Sequence, residues 1–246
     1  MHVTSDTTTY VAVHDQDIII QLVDNKVFSH MSNVVYLFLG PRPVDKVQTL
    51  PLIRCVDYLP DLPNLYDFAG FDVLAGSNLL RTKYSVFLQY DHRQESLTAE
   101  ADLEKLLERG LGMVAFVPAG YDPNNWMLMV PDFKEDFHLA LRACGVEGDW
   151  STLDCSWWPT TQGHAWRSSY FYTFINWARP AFAAVGNKPY AGHLVERLLT
   201  VFCARTHPPQ VQTGLFIHDS ADCHGTGALM GGHADLFRSK ASEFGR

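Results

Sequence analysis

No run of apolar residues in this chain approaches the roughly 20 needed to cross a bilayer as a helix. The opening segment, MHVTSDTTTY, lacks the basic-then-apolar order of a secretory leader. The expected location is therefore cytoplasmic, in solution or at the inner face of the membrane. Cysteine is sparse: Cys55, Cys144, Cys155, Cys203 and Cys223 make five, an odd number, with no Cys-x-x-Cys pair. That argues against a disulfide framework and for reduced thiols. Positive charge is in deficit, with 19 Lys and Arg against 27 Asp and Glu and a net charge of −8. The basic residues are scattered, so neither a nucleic-acid stripe nor a basic membrane patch is expected. A Walker-type phosphate loop, a Rossmann glycine fingerprint and a G-x-S-x-G elbow are all missing. Internal repeats and low-complexity tracts are missing too.

What is present is material for a core. Hydrophobic residues make up 47% of the chain and aromatics 13%, enough to exclude global disorder. Aromatic excess serves packing, and it also suits a sugar groove, where a flat ring meets the apolar face of a pyranose. The length fits one domain over residues 1–246. The last six residues, ASEFGR, are small and polar and read as an added tail, with the chain cut from something longer.

Apolar segments alternate in type. Tyr10–His14 is β-branched and runs into Asp15 and Asp17. Val34–Leu39 is closed by Gly40-Pro41, and Leu52–Val56 is a third strand. Leu65–Leu80 has helical spacing. Tyr84–Gln89 is a strand that stops at Tyr90-Asp91-His92-Arg93. Thr98–Arg109 is an amphipathic helix with Thr98 as cap and Gly110 as stop. Met113–Val117 is a strand, Asp132–Cys144 a helix stopped by Gly145, and His193–Cys203 a helix. Tyr170–Ile175 fits a strand or the start of a helix. Leu215–His218 is a last short strand before a Gly/His-rich tail. This alternation predicts an α/β fold with a mostly parallel central sheet covered by helices. Ligands then sit at the carboxyl ends of strands, which selects His14-Asp15, Asp91-His92-Arg93 and His218-Asp219.

Each polar cluster has a chemical and a plain reading. Asp91 can hold a divalent metal or a nucleotide's ribose and diphosphate, or it can cap a turn. No Asp-x-Asp pair is present; Arg93 stands near the missing second position and can neutralise phosphate through its guanidinium. Glu196 lies early in AGHLVERLLTVFCA, where the helix dipole favours an ionised carboxylate. Such a group can deprotonate an acceptor hydroxyl, although a lone Glu more often sits on a solvated face. His218, Asp219, Asp222, Cys223, His224 and His233 match no zinc-finger spacing. One metal-binding His is the simpler functional reading, and a flexible glycine-rich terminus the plain one. Trp157, Trp158, His164 and Trp166 crowd one segment and suit either stacking on a sugar or core packing.

The order VAVHD, YDHR, SSYFYTFINWARPAF and GHLVERLLTVF resembles the GT-A-type glycosyltransferases of bacterial capsule and O-antigen synthesis. GHLVERLLTVF is its most specific part, and the likeness spans roughly Tyr10 to His218. The resemblance implies a nucleotide-sugar donor and a saccharide acceptor. It implies nucleotide contacts at Val13, His14 and Asp15; Arg93 joins them as a phosphate contact by its charge, and Trp157, Trp158, His164, Trp166 and His193 are the candidate saccharide contacts. Asp91 would take the place of the Asp-x-Asp motif and, with His218, hold Mn²⁺ or Mg²⁺. Glu196 would be the base of an inverting transfer. The missing second Asp leaves metal dependence open. Two other classes compete. A nucleotidyltransferase or hydrolase would use Asp15, Asp91 and Asp219 as converging carboxylates. A carbohydrate-binding module would depend on the Trp segment and not on Glu196.

Overall fold

A computed structural model describes residues 6–40, 47, 49–55, 65, 67–90, 92–93, 100–108, 112–115, 118–119, 132–147, 158–159, 163–206, 210–211 and 217–218. Its centre is a seven-stranded sheet. The strands are β1 (Thr7–Val13), β2 (Val34–Phe38), β3 (Leu52–Arg54), β4 (Tyr84–Gln89), β6 (Met113–Ala115), β9 (His164–Arg167) and β10 (Gln210–Val211). Across the sheet they run β10-β6-β9-β4-β1-β2-β3. Every neighbouring pair is parallel except the two made by β9, which runs against β4 and β6. Two small antiparallel pairs stand apart. One joins β5 (His92–Arg93) to β11 (Ile217–His218), the other β7 (Pro118–Ala119) to β8 (Trp158–Pro159). The expected α/β architecture with a mostly parallel, helix-covered sheet is the observed one.

Strand β1, TTTYVAV, is buried along its whole length. Central parallel strands are covered on both faces and so read as continuous apolar, β-branched runs. Its alternate residues divide between two cores. Tyr10 packs with Leu37, Phe87 and Trp166 against helices α2 (Asp67–Gly76), α5 (Ser168–Val185) and α6 (Ala191–Thr206). Val11 and Val13 pack with Tyr36, Phe38 and Val86 against α1 (Gln16–Asp24) and α3 (Glu100–Glu108). A third cluster joins helix α4 (Phe133–Ala143) to α5 and α6 through Phe137, Leu141, Val185 and Leu198.

Local signals explain two of the helix ends. Asp15 is the N-cap of α1, and its carboxylate accepts from the Asp17 N–H at 2.8 Å. Gly145, at φ +70°, follows α4 where a left-handed residue ends a helix. Helix α5 corrects the open reading of Tyr170–Ile175: the segment is helical and extends through Pro180 to Val185. Proline inside a helix removes one hydrogen bond, but the burial of Ala178, Ala181, Phe182 and Val185 around it outweighs that loss. Cys55, Cys144 and Cys203 are thiols, not half-cystines. No described helix is long and apolar enough to cross a membrane.

Candidate active site at the carboxyl edge

The chain builds β1, β2 and β3 outward in one direction and then returns to lay β4 on the other side of β1. A crevice at the carboxyl ends of strands opens where such a sheet reverses its order, and doubly wound folds bind ligands there. In this sheet the reversal falls between the exits of β1 and β4, which marks the candidate crevice. Ala12 is in register with Gln89, and the Tyr90 N–H donates to the Ala12 carbonyl at 3.1 Å. On the other side of β1 the Leu39 N–H donates to the Val13 carbonyl at 2.9 Å. The neighbours are therefore fastened to β1 through its last two residues, and the first group beyond the strand is His14. Gly40 presses on that exit. A Cβ added there would lie 2.1 Å from the His14 carbonyl oxygen and 2.9 Å from Phe38 Cζ. Glycine is the residue that lets two backbones approach this closely.

Of the expected nucleotide contacts, His14 and Asp15 are exposed at this crevice. Val13 requires correction. Its side chain is fully buried and its carbonyl is used by Leu39, so it can only support the site. Asp15 doubles as the cap of α1. Asp91 lies outside the described residues. The next residue, His92, pairs by backbone with His218, and Arg93 pairs with Ile217. The β5–β11 ribbon thus joins two of the three polar segments selected from sequence, immediately beyond β4. Among the described residues no group of three His, Cys, Asp or Glu side chains gathers as a metal site would.

The Trp-rich segment divides. Trp157 lies outside the described residues, and Trp158 is in β8, paired by backbone with Ala119. Trp166 and His164 are corrected from sugar contacts to core. They are 0% and 1% exposed, and β9 inserts them between β4 and β6. The Trp166 Nε1–H donates to His164 Nδ1 at 2.8 Å, and the indole stacks on Phe174 at 5.8 Å. Neither ring can meet a sugar face from that position. Sequence reasoning missed β9 because His-Ala-Trp-Arg has no β-branched residue and is only four residues long.

Glu196 is expected early in its helix, in or near the first turn, kept ionised by the helix dipole. Helix α6 begins at Ala191, which places Glu196 in its second turn. It is also 7% exposed, not on a solvated face. Arg197 Nη1 donates to Glu196 Oε2 at 2.6 Å, and His193 Nδ1 stands 3.7 Å from the same oxygen. Burial pushes the carboxyl pKa up. The His193 hydrogen bond and the Arg197 charge outweigh it, so the group titrates below its ordinary value. Side chains close in space take over the role assigned to the dipole. His193 itself is partly exposed, beside the Tyr190 ring. Arg197 and Thr200, which sequence reading passed over, complete the buried polar stripe. Their signal was the spacing 193, 196, 197 and 200, one helix face.

Helix α6 packs against β8. Strand β7 begins three residues past β6, and β8 ends five residues before β9. Both strands of that ribbon therefore connect to the carboxyl edge, and α6 is brought alongside it.

No protein-family model matches the chain, and no curated protein matches it. Among solved structures it is similar to the mannosyltransferase Ktr4p of S. cerevisiae, at 10% identity and TM-score 0.47, over 87% of this chain and 70% of that one. The complex of that mannosyltransferase with GDP matches at 11% identity and TM-score 0.42, over 81% and 66% of the two chains. Mouse xyloside xylosyltransferase 1 matches at 10% identity and TM-score 0.41, over 84% and 83%.

Proposed function

We propose that the chain is a GT-A-like glycosyltransferase that moves a sugar from a nucleotide-sugar donor to a saccharide acceptor, in bacterial surface polysaccharide synthesis. The observation that carries the reading is the convergence at one sheet edge. The β1 exit with His14 and Asp15 adjoins the β4 exit at the strand-order reversal, and β11 sets His218 beside His92 just past Asp91.

In this reading the donor nucleotide lies across the β1–β4 crevice, against His14 and Asp15. Asp91, Arg93 and His218 surround its diphosphate. Bidentate guanidinium contact suits phosphate oxygens and stabilises the charge that develops as the diphosphate leaves. Asp91 and His218 are also the residues that would hold Mn²⁺ or Mg²⁺, whose contribution would be further neutralisation of that charge. The acceptor enters from the side of the β7–β8 ribbon, with Trp157, Trp158 and His193 as candidate contacts. Glu196 acts as the base of an inverting transfer. Its ionised state at neutral pH, secured by Arg197 and His193, is what a base requires.

The test is a thermal-shift screen of nucleoside diphosphates and nucleotide sugars, with and without Mn²⁺, repeated on Asp91→Asn and Arg93→Ala. A ligand at 100 times its dissociation constant adds about 2.7 kcal/mol of stability. The expected result is a shift with one nucleotide class that both substitutions reduce. No shift with any nucleotide overturns the reading. Turnover of a nucleoside triphosphate without sugar transfer replaces it with the nucleotidyltransferase or hydrolase class. If transfer survives EDTA, side chains such as Arg93 carry the diphosphate's charge without a metal.

A further inference from the structure

Helix α6 is apolar on two flanks and polar along a buried third. Val195, Leu199 and Phe202 enter one core, and Leu194, Leu198 and Val201 another. Between them run His193, Glu196, Arg197 and Thr200, the last three buried. Adjacent residues on a helix do not face each other, yet Arg197 reaches Glu196. A second hydrogen bond explains it: Arg197 Nη1 also donates to the His193 carbonyl, one turn back, at 2.9 Å. The guanidinium therefore folds toward the helix N-terminus, with its carbon 5.6 Å from the centre of the Phe133 ring. Both basic contacts to Glu196, from Arg197 and from His193, fall on Oε2. Oε1 receives no hydrogen bond from a described residue.

A buried ion pair adds little net stability, because desolvation offsets the attraction. What such a pair does secure is the orientation of the carboxylate. We propose that Arg197 is a positioning residue for Glu196: it anchors Oε2, fixes the plane of the carboxylate, and leaves Oε1 as the oxygen that receives the acceptor's proton. The inference rests on the glycosyltransferase reading above. In the step itself the acceptor hydroxyl proton passes to Oε1. The acceptor oxygen forms its bond to the anomeric carbon while that carbon's bond to the diphosphate oxygen breaks. The electron pair of the broken bond leaves with the diphosphate, and Glu196 returns its proton to water.

Among the described residues the charged groups near the carboxylate are few. On α6 they are His193 and Arg197. Helix α4 presents Phe133, and the acidic residues at its start, Asp132 and Asp136, lie with Lys188, which pairs with Asp136 at 2.8 Å. On α5, Arg179 is engaged by Asp72 at 2.8 Å. Arg197 and His193 are the groups that lower the Glu196 pKa against burial.

The experiment uses the full chain and two variants, Arg197→Gln and Arg197→Lys. It follows the pH profile of kcat/KM with the donor identified in the thermal screen. In parallel, ¹³C NMR of glutamate-labelled protein follows the Glu196 carboxyl, assigned by its loss in Glu196→Gln. Arg197→Gln should move the acid limb and the Glu196 titration upward together. It should also lower kcat by about tenfold or more while donor KM stays within about twofold. Arg197→Lys keeps the charge but not the planar guanidinium, so it should hold the acid limb near its original place and recover part of kcat. An unmoved titration and acid limb in a folded Arg197→Gln overturns the proposal. If that variant does not fold, Arg197→Lys decides: unchanged kcat shows that the guanidinium positions nothing. Normal turnover in Glu196→Gln is a different failure. It removes the base from the functional reading, while NMR still reports whether Arg197 controls the carboxyl.

Discussion

The β1–β4 crevice and the polar stripe of α6 are built by opposite means. The crevice is made of backbone. Strand exits are tied together by the Tyr90 to Ala12 and Leu39 to Val13 hydrogen bonds, and glycine at position 40 allows the close approach. The stripe is made of side chains, with one arginine bridging a carboxylate and a carbonyl inside an apolar helix bundle. A backbone site tolerates most side-chain changes, because its geometry is fixed by sheet pairing. A side-chain site in a low-dielectric interior fails with a single substitution, because the remaining charge is stranded.

The largest expected effect falls on the stripe. Glu196→Gln should lower turnover by about 10²–10⁴-fold, with nucleotide affinity nearly constant, because the base meets the acceptor and not the donor. Steady-state kinetics beside calorimetric nucleotide binding measures both. A variant with near-normal turnover would make the stripe a structural feature and return the search for a base to Asp15, Asp91 and Asp219.

Next is the stability of the pair. Arg197→Met strands a buried carboxylate and should cost about 3–5 kcal/mol in urea unfolding. Replacing Glu196 by Met as well should recover most of that loss, since an apolar pair of similar volume removes the uncompensated charge. A double variant no better than the single one would mean that the stripe contributes more than the pair.

The crevice has one sensitive position. Gly40→Ala forces the new methyl against the His14 carbonyl. The expected cost is about 1–3 kcal/mol, together with weaker nucleotide binding, measured by urea unfolding and calorimetry. If nucleotide affinity is unchanged while stability falls, the crevice does not hold the donor.

The smallest effect is a pH dependence. An unfolded Glu titrates near 4.3, and folded Glu196 titrates lower. Its contribution is therefore present above about pH 4.3 and is lost as pH falls through the folded value. The difference in melting temperature between the native chain and Glu196→Gln should narrow as pH falls below about 4. A difference that grows as pH falls would show that burial outweighs Arg197 and His193, and one independent of pH down to about 3 that the two effects cancel.

Much of the fold was legible. The runs YVAV, VVYLF and YSVFLQ are continuous and largely apolar because both faces of a central parallel strand are covered. Carboxyl-edge residues follow from strand direction alone, which is why His14 and Asp15, directly beyond the end of β1, are legible as neighbours of a strand end. Trp166 and His164 were misplaced because an aromatic-rich segment looks the same whether its rings face a groove or a core. Glu196 was placed on the correct helix but given the wrong electrostatic partner. Helix-end rules see only the chain around a residue, and its burial is a property of packing.

By itself, then, the sequence determined the α/β class, most strands and helices, and which polar residues close a strand, because hydrophobic period and capping act over a few residues. The tertiary structure decided three things. It inserted β9 antiparallel into the sheet, placed His218 beside His92, and folded Arg197 back onto Glu196. Each joins groups through the packing of whole elements, and a buried charge finds its partner only after water has been excluded around it.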